Sequence, residues 1–283
     1  MESPRSGLKK FFIGTLIGIV STVPGVSGAV LAVCFGIYER VVADIADIVH
    51  KIRDDFWFLA TIGLGIAFGI IMISFGLDYV IDNYRVASML LFLGLILGQL
   101  PELWKFTEPA IKISAADIAA FAVGIVIMSF FLVLGASEEK VLSHDLMSCL
   151  YMVLIGVIFS VSHLAPGISG STVLLAMGLL APLMSTIAEF DILIIPLLVG
   201  VFIGLIGFAK IVHYALTNYR KSTYMMILGL TVGSIFVIIK ESVTPYPEAA
   251  DVLLGIVALF AGILISLWFS RIGRKASKEF SVK

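Results

Sequence analysis

Charged residues are scarce in this 283-residue sequence: they make up 14% of it, against about 25% in ordinary soluble domains. The mean hydropathy is +1.10, and it is carried by apolar runs of about 20 residues, the length that crosses a membrane. This composition excludes a water-soluble fold. Basic stripes and aromatic platforms are also missing, so nothing supports binding to nucleic acid.

Motifs typical of enzyme active sites or metal sites are also missing. The two cysteines, Cys34 and Cys149, both lie in apolar runs, where a free cysteine usually packs as a small hydrophobe. The sequence contains no His-x-x-His, no Gly-x-Ser-x-Gly and no clustered carboxylates within the apolar runs. We therefore predict neither an enzyme nor a metal or cofactor site. A nucleotide-binding motif is missing too, so transport driven by ATP is not expected.

What the sequence does contain is an internal repeat. Residues 21–38 (STVPGVSGAVLAVCFGIY) and 163–180 (HLAPGISGSTVLLAMGLL) share Pro-Gly-x-Ser-Gly at an offset of 142. The segments Asn83-Tyr84-Arg85 and Asn218-Tyr219-Arg220 match at an offset of 135. Several matches in the same order indicate two similar halves.

Each half, 1–140 and 141–283, reads as one broken hairpin followed by three apolar spans. The hairpins cover about 8–45 and 147–186, and the spans cover about 57–77, 86–104, 115–135, 191–209, 223–239 and 250–270. Four glycine pairs also match at the offset of 135. They are Gly65 with Gly200, Gly69 with Gly204, Gly94 with Gly229, and Gly98 with Gly233. Their Gly-x-x-x-Gly spacing predicts close helix packing.

Two topologies compete for the hairpins, which either cross the membrane or enter and return on the same side. Cytoplasmic loops are enriched in Lys and Arg. With re-entrant hairpins and a cytoplasmic N-terminus, sixteen of the nineteen Lys and Arg residues fall inside; with crossing hairpins only thirteen do. The re-entrant arrangement fits better. It leaves three crossings per half, so the second half must be inverted relative to the first, a recurring plan of secondary transporters.

The predicted fold is thus an all-α membrane protein of two inverted repeats, each a re-entrant hairpin plus three transmembrane helices. In this fold the two Pro-Gly turns meet near the membrane centre. Each turn opens a half-helix whose free N–H groups and positive dipole end favour an anion, and a phosphate is the natural candidate. The predicted binding residues are Pro24, Gly25, Ser27, Gly28, Pro166, Gly167, Ser169, Gly170, Ser171 and Thr172. The competing interpretation is a pair of tightly packed hairpins with nothing bound.

Four further residues are candidates for attracting or gating a headgroup. Arg85 and Arg220 end the Asn-Tyr-Arg segments and could contact a phosphate in a bidentate manner, although Tyr and Arg also serve as interfacial anchors. Glu39 has no acidic counterpart, because Ala181 stands at its position in the second half. Glu39 and His163 are candidates for proton coupling, or are simply solvated groups at the membrane edge.

The sequence resembles the polyprenyl-phosphate transporter family, formerly catalogued as a domain of unknown function. The likeness rests on PGVSGAVLAVCFGIYE (24–39), GLILGQLPEL (94–103) and APGISGSTVLLAMGLL (165–180). The resemblance implies a flippase that returns undecaprenyl phosphate, or dolichyl phosphate in archaeal relatives, across the cytoplasmic membrane. A proton or sodium gradient could drive it, and the membrane lipids would surround it. Gln99 stands where the family often has serine.

Two other functions remain open at this point. The chain could be a secondary transporter or channel for a small soluble anion, or a membrane scaffold that transports nothing. Flux of a soluble anion without any lipid phosphate would favour the former. Stability effects without a transport defect, after alanine substitution in the turns, would favour the latter.

The predicted topology can be tested by cysteine labelling. Both termini and the segment 44–54 are expected on the cytoplasmic side, because the re-entrant hairpin returns the chain there. Single cysteines introduced within 44–54 should react with a membrane-impermeant maleimide only in inverted vesicles. Labelling from the outside would overturn the re-entrant arrangement.

Overall fold

The computed structural model describes residues 4–22, 26–108, 112–134, 145–168, 170, 173–174, 177–179, 182–183, 186–187, 191–242 and 249–280. These residues form helices and turns, and none of them belongs to a strand. This confirms the all-α prediction.

Ten helices are described along the chain. The first half contains α1 (Pro4–Ser21), α2 (Gly28–Cys34), α3 (Tyr38–Ala46), α4 (Ile48–Asn83), α5 (Arg85–Phe106) and α6 (Ala115–Leu134). The second half contains α7 (Leu146–Leu164), α8 (Ile194–Asn218), α9 (Arg220–Ser242) and α10 (Ala249–Phe280). Between α7 and α8 only short pieces of the chain are described.

Six of these helices contain stretches long and apolar enough to cross a membrane. The stretches are Asp55–Ile73, Arg85–Phe106, Leu146–Leu164, Ile194–Asn218, Arg220–Lys240 and Asp251–Gly273. Five of them coincide with predicted spans. The predicted span 115–135 corresponds to the shorter apolar helix Ala115–Phe130, whereas Leu146–Leu164 is the first arm of the second predicted hairpin. The chain is therefore built for multiple passes through a membrane.

Glycines seat α1 on α4 and α7 on α8 in the same way. A side chain at Gly14 would meet Ile62 and Gly65, and one at Gly18 would meet Ile66. In the second half, a side chain at Gly156 would meet Leu197 and Gly200 in the same manner. Because the residue numbers rise together across each contact, the helices of both pairs run parallel.

The remaining long helices pair across the two halves. Gly94 of α5 lies against Leu259 of α10, and Gly229 of α9 lies against Phe121 of α6. Gly98 and Gly233 continue these contacts at Ser266 and Met128, respectively. Both pairs are again parallel, so each half lends one helix to the other. These contacts confirm that the repeated glycines serve helix packing.

One end of the bundle gathers around α3. The guanidinium carbon of Arg40 lies 3.9 Å from the ring centre of Phe58, near the beginning of α4, and α3 itself packs on α8. A side chain at Gly273, late in α10, would meet Cys34 and Phe35 beside α3. The start of α4, the short helices α2 and α3 and the late part of α10 therefore lie at the same end.

The glycine contacts can be tested with a matched pair in α8. Alanine at Gly200 would overlap the backbone of Val153, whereas alanine at Gly207 would meet nothing within 4 Å. Overpacking of this kind costs about 1–3 kcal/mol, so Gly200→Ala should lower the melting temperature in detergent. Gly207→Ala should leave it unchanged or raise it slightly, because alanine is the better helix former. Equal melting temperatures for the two variants would contradict the packing.

Candidate anion-binding site

The described part of the first turn begins α2. Ser27 is the N-cap residue, with extended backbone angles of φ −103° and ψ 119°, and it is buried. Ser27 thus stands at the cap position of α2, but its side chain forms no capping hydrogen bond. Pro24 and Gly25 lie outside the described residues.

Glycine is required at the second turn. Gly167 has φ +86°, and a side chain there would run into Leu230 and Thr231 of α9. Pro166 and Gly167 are buried with Ala165, so the turn is covered by protein. The predicted residues Ser169, Ser171 and Thr172 lie outside the described residues.

The last glycine of each motif packs on the helix that precedes it. A side chain at Gly28 would overlap the Ser21 hydroxyl, and one at Gly170 would overlap the His163 ring. Ser21 and His163 occupy matching positions at the offset of 142. The His163 ring lies 4.2 Å from that of Phe159, between centres, and its Nδ1 lies 2.8 Å from the Phe159 carbonyl oxygen. The structure thus places His163 directly against the second turn.

A buried tyrosine connects the two hairpins. The Tyr38 hydroxyl donates a hydrogen bond of 3.0 Å to the carbonyl oxygen of Leu164, 126 residues away. Leu164 ends α7, immediately before the second Pro-Gly turn, and α2 also touches α7. The first hairpin therefore packs directly beside the second.

The residue after Tyr38 joins an ion pair that crosses the two halves. A carboxylate oxygen of Glu39 lies 2.8 Å from the Arg220 guanidinium and accepts a hydrogen bond of 2.5 Å from the Tyr224 hydroxyl. Arg220 also lies 3.9 Å from Glu108, and the ring of Tyr224 stacks on Phe106 at 5.3 Å. Glu39 and Arg220, proposed separately from the sequence, are thus brought together, while both side chains remain more than 40% exposed.

Arg85 lies far from this cluster. It begins α5, whose other end at Phe106 contacts Tyr224. The two Asn-Tyr-Arg segments share the same local structure, since Asn83 and Asn218 each donate a side-chain hydrogen bond to the carbonyl four residues earlier. Arg85 and Arg220 therefore have equivalent local surroundings. Arg85 begins α5, whereas Arg220 begins α9 near the other end of α5.

The base of the first hairpin carries its own charge network. Arg40 pairs with Asp55 and lies 3.9 Å from Asp44. Burial, together with repulsion from Asp55, raises the pKa of Asp44. Lys10 in α1 lies over the ring of Phe58, as Arg40 does. The start of α1, the end of the hairpin and the start of α4 therefore meet at one place.

Within the described part of the chain, no group of three or more His, Cys, Asp or Glu residues could hold a metal ion. Cys34 and Cys149 are both free thiols, as expected of packing residues. What the described residues offer instead is a covered Pro-Gly turn after α7, the buried beginning of α2, and a partly exposed cluster around Arg220 at the start of α9.

Sequence reasoning missed two participants in this region. Glu108 and Tyr224 complete the surroundings of Arg220. The pairing of Glu39 with Arg220 joins positions 181 residues apart, and no spacing rule reaches that far. The unmatched Glu39 opposite Ala181 was the one available signal.

Comparison with known proteins places this geometry in context. A family model described as VCA0040-like, undecaprenyl phosphate translocase-like, matches residues 17–252. The chain is 29% identical to the polyprenyl-phosphate transporter of Staphylococcus aureus over 272 residues, 92% of this chain and 94% of that protein. It is 28% identical to the polyprenyl-phosphate transporter of Vibrio cholerae over 251 residues, 81% of this chain and 76% of that protein. No solved structure matches the chain.

The ion pair can be tested with a double-mutant cycle. Because Glu39 and Arg220 are partly exposed, we expect a coupling of only about 0.5–1 kcal/mol, weakened by salt. Melting temperatures of Glu39→Ala, Arg220→Ala and the double variant measure it. A control cycle that combines Glu39→Ala with Arg271→Ala, at an exposed arginine of α10, should show additive effects on the melting temperature. Additivity between Glu39 and Arg220 would contradict the pairing.

Proposed function

Because the chain belongs to the undecaprenyl phosphate translocase-like family, we propose that it carries a polyprenyl phosphate lipid from one leaflet of the membrane to the other. Undecaprenyl phosphate and dolichyl phosphate are the two candidate lipids. The observation that carries the proposal is the contact between the two broken hairpins, made by Tyr38 and the carbonyl of Leu164. This contact lies within an apolar helical bundle, where a lipid headgroup needs polar groups along its path.

The topology that goes with this function is an inverted repeat with re-entrant hairpins. Its support comes from helix directions. From the end gathered around α3, helices α1, α4, α6 and α9 run away, whereas α5, α7, α8 and α10 run toward it. In chain order, the first-half helices α1, α4, α5 and α6 run away, away, toward and away. The second-half helices α7, α8, α9 and α10 run in the opposite directions, toward, toward, away and toward. Because α1 and α4 run parallel, the chain that follows α1 has to return to the side where α1 began before α4 starts.

The phosphate site that we propose is the paired Pro-Gly-x-Ser-Gly turns. Each turn ends one helix arm, and the next arm offers unpaired N–H groups at its beginning. Non-helical backbone at membrane depth has to be covered by protein or line a wet cavity, and the burial of Val26–Gly28 and Ala165–Gly167 agrees with this requirement. The prenyl tail needs no polar site and stays in the bilayer.

Arg220 is the group that we propose to exchange partners during transport. A phosphate monoester carries nearly two negative charges at neutral pH and accepts bidentate hydrogen bonds from arginine. It would therefore compete with the single carboxylate of Glu39. Once separated from Arg220, Glu39 would lie beside Glu108 and the Tyr224 hydroxyl, and it is the group that would take up a proton or a sodium ion.

Orientation follows from the same charges. Glu39, Arg220 and Lys112 lie at one end of the bundle, which we assign to the cytoplasm together with both termini, because Lys and Arg are enriched there. The membrane is then the cytoplasmic membrane, and the lipid moves from the outer leaflet toward the Arg220 end. Arg85 would meet the headgroup on the outer side.

Translocation in proteoliposomes tests the function directly. Wild-type protein should move the phosphate headgroup of a polyprenyl phosphate faster than protein-free liposomes do. Ser27→Ala, Ser169→Ala and Arg85→Ala should each slow it, by about tenfold if each removes a charge-assisted hydrogen bond worth roughly 1.5 kcal/mol. Arg271→Ala serves as the control, because it removes an exposed arginine outside the turns.

The same vesicles separate the competing functions. Uptake of soluble phosphate without any lipid would favour a transporter for small anions. Wild-type protein that moves the lipid no faster than empty liposomes would sink the proposal. Turn variants that lower the melting temperature without slowing transport would favour a purely structural role for the turns.

A further inference from the structure

An apolar groove opens on the lipid-facing side of α9, between α5 and α6. Its volume is about 460 Å³, and it is lined by side chains of Leu100, Pro101 and Trp104 on one side and Phe121 on the other. Its floor consists of Met225, Leu228 and Val232 of α9. Every one of these side chains is apolar or aromatic, so a hydrocarbon chain fits the lining.

A lysine continues the floor of this groove. Met225, Leu228 and Val232 follow one another at helical spacing, and Lys221 lies one turn before Met225 on the same stripe. The Lys221 ammonium donates a hydrogen bond of 3.1 Å to the carbonyl oxygen of Lys112, which lies shortly before α6 in the α5–α6 connection. The stripe from Lys221 to Val232 spans about 16 Å of helix, which is roughly half of the hydrocarbon thickness of a membrane.

Arg220 lies next to Lys221 but points to another side of α9. A step of one residue turns the helix by about 100°, which separates Lys221, above the groove, from Arg220, which faces Glu39 and Tyr224. On the side away from the groove, α9 contacts the second turn through Leu230 and Thr231. The two cations therefore mark a path around the beginning of α9, from the lipid-facing groove to the hairpins.

We propose that this groove is a binding site for the prenyl chain, with Lys221 holding the phosphate at the membrane boundary as it leaves Arg220. The inference rests on the proposed function and adds a place for the lipid tail. A phosphate monoester carries nearly two charges, whereas the phosphodiester of an ordinary phospholipid carries one. Two adjacent cations therefore favour the monoester.

Lys221 has no basic counterpart at the matching position of the first half. At the offset of 135, Lys221 corresponds to Val86, and a side chain at Gly255 would meet the Val86 side chain at 3.3 Å. A valine packed on α10 offers nothing to a phosphate. The lipid would accordingly use this groove on the Arg220 side, where it leaves the protein.

Binding of a polyprenyl phosphate to protein in nanodiscs tests the inference. Val232→Trp and Leu100→Trp fill the groove from its floor and from one wall, respectively, and Leu253→Trp adds the same bulk at a site on α10 that is 68% exposed. The groove variants should weaken the Kd by about tenfold, the loss expected when roughly two methylene groups are excluded. Leu253→Trp should match wild type. Melting temperatures close to wild type show that the variants are folded.

Two further ligands separate the chain from the headgroup. Lys221→Ala should weaken binding of polyprenyl phosphate but not of uncharged polyprenol, and inorganic phosphate should bind the tryptophan variants as it binds wild type. Groove variants that bind polyprenyl phosphate as tightly as Leu253→Trp does would overturn the inference while leaving the proposed function intact. A wild-type protein that neither binds nor moves the lipid would overturn both.

Discussion

Inside a membrane, every backbone N–H and C=O group needs a partner within the protein, and this requirement shapes the rest of the structure. Helices satisfy it by themselves, whereas a Pro-Gly break does not. The break at Pro166–Gly167 is accordingly covered by α9, which lies so close to Gly167 that no side chain fits there. The beginning of α2 is covered too, because Ser27 and Gly28 are buried and Gly28 lies against Ser21 at the end of α1. A chain with two such breaks has to wrap its other helices around them.

Glycine residues allow the surrounding helices to approach one another closely. Parallel pairs form where two glycine faces meet, as at Gly14 and Gly65 or at Gly94 and Gly262. Apolar side chains gain little from each other over lipid tails, so close van der Waals packing has to hold membrane helices together. Because α5 pairs with α10 and α6 pairs with α9, the halves interlock, and the hairpins cannot separate without breaking both pairs.

Much of this arrangement could be predicted from the sequence, because the repeat itself carries the information. The offset of 135 matched Gly65 with Gly200, and the structure gives these two glycines equivalent contacts, with Gly14 and Gly156 respectively. The exchange of α6 and α10 between the halves could not be predicted, since periodicity says which face is apolar but not which partner covers it. The register in which Gly124 meets Gly229 and Gly262 meets Gly94 could not be predicted either.

The asymmetric charges matter most because the scaffold is so evenly repeated. Two matching halves offer a substrate the same apolar walls from either side, and neither direction is preferred by packing alone. Glu39 opposite Ala181 and Lys221 opposite Val86 break this equivalence, and both charged residues lie at the end of the bundle where Arg220 meets α3. A cation paired with a carboxylate is held in place without a substrate and is released by a competing anion. Under the proposed function, placing that exchange at one end of a repeated scaffold makes the two ends bind a phosphate differently, while the gradient of the lipid or of a coupled ion sets the net direction of transport.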